Sequence, residues 1–255
     1  VKLVGGDVST YSWPAYFGGS IFVDNNGGEL NLYSSIISNN KAQNGGGIGA
    51  YENMQYGDEV VIINIYNCTI SNNDAVGTYG SGGGIALSKA TGTIINTTID
   101  QNEVTSSGGG MSISYSDVTL NNVIISNNVA AHRGGGFYID GRPDSLQGPS
   151  NVYIYNSIVK NNEETATNTC CDYGGGAFYF RSNVNIIIRE SSFILNVANN
   201  DRGNIIRLKR SDAEGTPTIS FINTYFNDPT NSDIFFEFDN DGNGGTAIWN
   251  TCADS

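Results

Sequence analysis

The chain contains a single histidine, two methionines, five prolines and only twelve lysines and arginines in 255 residues. Each scarcity excludes a class of protein. Twelve basic residues against 25 acidic ones give a formal net charge of −13, which argues against binding nucleic acid through its phosphates. Low proline, with no three-residue glycine period, excludes collagen. No apolar run approaches the roughly 18 residues that a membrane-crossing helix needs. Strong helix formers do not dominate, so a helical protein is not expected either. Hydrophobic residues at 38% and aromatics at 11% are too many for ordinary disorder. The chain opens without methionine and without a basic-then-apolar leader, and so reads as a mature product or an excised piece.

What is abundant is glycine, with 33 residues, and asparagine, with 34. The glycines are ordered. Triplets recur at 45–47, 82–84, 108–110, 134–136 and 174–176, followed by Ile48, Ile85, Met111, Phe137 and Ala177. A weaker copy, Gly18-Gly19-Ser20-Ile21, precedes them, and an eroded one, Gly203-Asn204-Ile205-Ile206, follows. A second signature places an apolar residue three before an asparagine: Ile37 and Asn40, Ile70 and Asn73, Ile99 and Asn102, Ile125 and Asn128, Val159 and Asn162, Phe193 and Asn196. A third column lies three residues before that apolar position: Ser34, Asn67, Asn96, Asn122, Asn156, Glu190, Asn223. Periods of 20–50 residues indicate a solenoid, a propeller or an array.

Runs such as Val61–Ile65 and Val152–Ile154 alternate apolar and polar residues, the signature of strands. No helical pattern separates them. The expected architecture is all-β, a right-handed parallel β-helix of seven to eight coils, each of two or three short strands. Ile37 to Phe226 would stack as an interior ladder. Both asparagine columns would be turn ladders, and the glycines would form the corners. A single domain is expected over 1–255, with end segments at 1–17 and 240–255 and insertions near 52–60, 141–150 and 163–173.

The paired motifs Gly-Gly-x-apolar and apolar-x-x-Asn resemble the GGAI/FxxN repeats of polymorphic outer-membrane proteins, within the wider pectate-lyase-like group of parallel β-helices. The resemblance covers about residues 18–229. It implies the fold strongly and the function weakly, because that architecture serves adhesins, fibre proteins and polysaccharide-cleaving enzymes. Here the third repeat position is glycine rather than alanine, and the phenylalanine of the second motif is mostly isoleucine.

Outward positions after the glycine triplets are expected to align Phe22, Gly49, Ala86, Ser112, Tyr138, Phe178 and Arg207. The next such column would hold Asp24, Tyr51, Ser88, Ser114, Asp140, Phe180 and Lys209. Small residues in the middle coils give way to aromatics, and two insertions flank that patch. Tyr138, Asp140, Phe178, Phe180 and Arg181 therefore form the expected binding or assembly face. The alternative is that the loops cover these aromatics. Asp239, Asp241 and Asn243 match half of a calcium loop, although Asn250 stands where the bidentate glutamate belongs. Calcium is the only cofactor this suggests. An acidic hairpin turn is the competing reading. Cys170 or Cys171 could bridge to Cys252 in an oxidising compartment, while Cys68 reads as a small packed residue. The two glycosylation sequons begin at Asn67 and Asn96, whose place in a turn ladder would bury their amides and compete with a glycan.

Catalytic signals are thin. His132 has no nucleophile motif beside it, and the patch offers one acid, Asp140, near Arg181 and Lys209. The leading expectation is an extracellular structural or adhesive protein, with self-association, other surface proteins or carbohydrate as partners. A carbohydrate-active enzyme is the second. Ice binding would want a regular threonine ladder, and the column Asn31, Asn64, Thr93, Thr119, Tyr153, Ile187, Ser220 is too mixed.

Overall fold

The computed structural model describes residues 1–11, 17–24, 28–51, 60–141, 148–167, 173–199, 203–210, 217–227, 234–238 and 246–250. It is a right-handed parallel β-helix built from four parallel sheets. Each full coil visits the sheets in a fixed order. The first sheet starts at Ile21–Asp24, the second at Glu29–Tyr33, the third at Lys2–Val4 and the fourth at Lys41–Ala42. Among the described residues the first three contain eight strands and the fourth contains six. The fourth, of two-residue strands, was not foreseen from the sequence pattern.

The third sheet holds the expected ladder. Ile37 is in register with Ile70, Ile99, Ile125, Val159, Phe193 and Phe226. The first six are almost completely buried, and Phe226 packs against the same core. Alternation explains this. In a strand of three residues only the central side chain points inward, and only that position is consistently apolar.

Three residues later comes the asparagine ladder. The Nδ2 of Asn40 donates to Oδ1 of Asn73 at 2.9 Å, and the chain of amides continues through Asn102, Asn128, Asn162 and Asn196. From Asn73 onward each Oδ1 also accepts the backbone N–H of the preceding coil's asparagine, at 3.0–3.1 Å. From Asn73 onward, Nδ2 also donates back to a carbonyl of the ladder residue one coil earlier, such as Ile37 or Ile70. Amide capacity is thus nearly filled inside a buried column, which is what lets a polar side chain stay there.

The glycine corners have a steric cause. The first glycine of most triplets takes a left-handed backbone, as at Gly82 with φ of 64°. The middle glycine is needed for contact. A Cβ on Gly109 would lie 2.3 Å from the carbonyl oxygen of Gly135 in the next coil. At the fifth corner the left-handed glycine of the run is Gly175, which matches Gly134, so Ala177 occupies the third position. The repeat there is Gly-Gly-Ala-Phe.

Candidate functional site

That one-residue shift corrects the expected face. Phe178 pairs in register with Phe137, and Phe180 with Ile139. Both phenylalanines are fully buried in the main core, where Phe178 stacks on Phe137 at 4.7 Å and on Phe180 at 5.1 Å. They are interior residues, and their own loops are not what hides them. The outward column reads Ser112, Tyr138, Tyr179, Arg207, and the next reads Ser114, Asp140, Arg181, Lys209. Tyr138, Asp140 and Arg181 are therefore on the outer face as expected. Tyr179 and Arg207 share that side but are completely buried.

From the short fourth-sheet strands the chain returns to the first sheet through the glycine corners. The returning edges align Ser81, Ser107, Arg133 and Gly174 as successive bridges. They stand beside the outer face of the first sheet and form a cleft of about 300 Å³. Ser112, Ser114, Tyr138 and Asp140 line it from the sheet, and Ser81, Ser106, Ser107 and Arg133 from the returning edge. Tyr79 and Gly80 close it. Small residues on the middle coils make the room, and alternation aims them outward.

The cleft is rich in hydroxyl groups, and its charged groups are restrained. Asp140 is 3% exposed and accepts the Tyr138 hydroxyl at 3.1 Å. Burial first, and the Asp140 carboxylate second, hold the Tyr138 hydroxyl well above the ordinary tyrosine range, so it remains a donor. The Arg133 guanidinium lies 5.7 Å from the centre of the Tyr173 ring and 5.8 Å from that of Tyr179. His132 stacks on Tyr173 at 4.5 Å, and burial, followed by the Arg133 charge, depresses its pKa. Ser106 and Ser107 place their hydroxyls 3.2 Å apart. Such a set can hydrogen-bond a hydroxyl-rich ligand from several directions.

The remaining candidates fall elsewhere. Asp239, Asp241, Asn243, Cys170, Cys171 and Cys252 lie outside the described residues. Among the described residues no group of three or more histidines, cysteines or acids could hold a metal. Cys68 is a buried free thiol, as its column of small residues implied. The column containing Asn67 and Asn96 is a second correction. All seven residues have positive φ, between 46° and 56°, and all are exposed. Their amides form only a partial surface ladder, with Nδ2 of Asn96 donating to Asn67 at 3.1 Å and Nδ2 of Asn122 donating to Asn96 at 2.8 Å. Burial therefore does not exclude a glycan.

The chain matches no known protein family, no curated protein and no solved structure.

Proposed function

We propose that the protein is an extracellular structural and adhesive β-helix, a stiff rod that presents a ligand-binding cleft on one face. The observation that carries this reading is the contrast between rod and cleft. A continuous, internally satisfied asparagine ladder runs along the body. At mid-length, polar groups gather in a recess on a sheet face. Ligand-contacting groups on a rigid scaffold are a common way to bind a surface. The Gly-Gly-Ala-Phe corner, with the alanine in the third position, supports a kinship with the polymorphic outer-membrane-protein repeats. Partners would be other surface molecules or further copies of the chain. Electron microscopy and an adhesion assay on immobilised protein test the reading. Single rods or filaments that retain cells or extracellular matrix support it. Material that neither adheres nor assembles removes it.

One observation favours a carbohydrate-active enzyme as the second reading. A buried carboxylate, Asp140, sits against a tyrosine hydroxyl in the recess that Arg133 also lines. Release of reducing or unsaturated sugar ends from polysaccharide, abolished in Asp140→Asn, would support it. Intact polysaccharide after prolonged incubation would exclude it for the substrates tried.

A further inference from the structure

We propose that the cleft binds a neutral saccharide chain of at least two sugar rings, one on each side of Tyr79. The inference rests on the adhesive reading above and names its ligand. Tyr79 was not singled out by the repeat pattern, because it lies in a loop between the fourth-sheet strand Asp74–Ala75 and the corner at Gly82, where the spacing varies from coil to coil. Its side chain is 90% exposed. It lines two recesses at once, the cleft with Asp140 and a second of about 350 Å³ bounded by Gln43, Asn44, Gly77 and Thr78.

The loop that carries Tyr79 is tied down on both sides. Val76 and Gly77 donate backbone N–H groups to Ala42 and Gln43 of the preceding coil, at 2.8 and 3.1 Å. The Thr105 hydroxyl of the following coil donates to the Gly77 carbonyl. Gly80 closes the loop on Gly77 at 2.7 Å. An aromatic ring left in water on a fixed loop, between two recesses of mixed polar and apolar lining, suits the apolar C–H face of a sugar. The sugar hydroxyls then meet the serine hydroxyls of the cleft.

Charge selects within the class. A chain of net charge −13 repels polyanions at a distance. Five serines line the cleft beside Tyr79 and Tyr138, so hydroxyl groups outnumber side chains that could anchor an apolar peptide residue.

The test is an array of neutral and acidic oligosaccharides probed with the full chain, followed by calorimetry on the best neutral binder. We expect neutral chains of two or more rings to bind, with single sugars far weaker. Tyr79→Ala should lower affinity at least about tenfold and Tyr79→Trp should retain it. Because the side chain is exposed, neither variant should unfold. Binding of acidic glycans alone, or equal affinity of Tyr79→Ala, would overturn the proposal. An array silent to neutral glycans, with adhesion intact, removes the saccharide and leaves the adhesive reading standing. Loss of adhesion as well as glycan binding removes both.

Discussion

Glu164 is the residue most at odds with its surroundings. It occupies the inward column of the fourth sheet, where other coils place Ala42, Ala75, Val104, Ala130 and Ala198. Its side chain is fully buried. Oε1 accepts the Ala166 N–H at 2.8 Å, and Oε2 has no hydrogen-bond partner. Burial pushes its pKa up to about 8, the neighbouring Glu163 adds to the rise, and the Ala166 N–H and Arg207 oppose it. The sign of the consequence follows by linkage. The ordinary value is 4.5, so between about pH 4.5 and 8 the folded chain holds a proton that the unfolded chain has released. The Glu164 contribution to stability is full below about pH 4.5, falls as pH rises, and reaches its floor above about 8. Glu164→Gln removes this pH dependence. Urea unfolding should show the wild type losing roughly 2–4 kcal/mol relative to Glu164→Gln between pH 5 and 8. Parallel pH profiles for the two proteins would refute the argument.

Turns are where sequence and structure part most instructively. Both asparagine columns were visible as columns, but which one is buried was not. Within the chain, the column that admits Ser34 and Glu190 turns out to be the exposed one, and the six-fold Asn40 to Asn196 column is the buried one. Left-handed turns explain the first, since asparagine tolerates positive φ better than most side chains. Filled hydrogen-bonding capacity explains the second. The strands themselves were legible because period two is a local property. The Tyr79 loop, the Arg133 edge and the shift at Gly175 were not, because a connection of varying length has no period. The exposed turn carries its own expectation. Among the described residues Nδ2 of Asn67 donates to no partner, while Nδ2 of Asn96 is committed to Asn67 one coil away. Successive coils are only about 4.8 Å apart, too close for two sugar stems side by side. In chain secreted through a glycosylating pathway, folded material should carry a glycan on Asn67 and a bare Asn96. Glycopeptide mass spectrometry reads this directly, and Asn96 occupied with Asn67 bare would contradict it.

Across the whole molecule, coils meet only their neighbours in every sheet, so stability is close to a sum of coil terms and coil-to-coil terms. The asparagine ladder is the most evenly repeated of the coil-to-coil terms, and Asn128 is one of its central members. Its Oδ1 accepts Nδ2 and N–H of Asn102, its Nδ2 donates to Asn162 Oδ1 and to the Ile99 carbonyl, and its N–H donates to Asn162. Replacement by alanine strands several buried polar groups, each costing about 1 kcal/mol or more, so a total near 3 kcal/mol is expected. In a globular core that loss would be shared by the whole fold. In a solenoid it should stay local. Native-state hydrogen exchange on Asn128→Ala should speed the amides of Thr98–Asp100, Ile124–Ser126 and Ile158–Lys160, whose coils hold Asn102, Asn128 and Asn162. Ile36–Ser38, three coils from the substitution, should exchange as before. Uniform acceleration along the rod would mean that the coils unfold as one unit and that nearest-neighbour coupling is not what holds them.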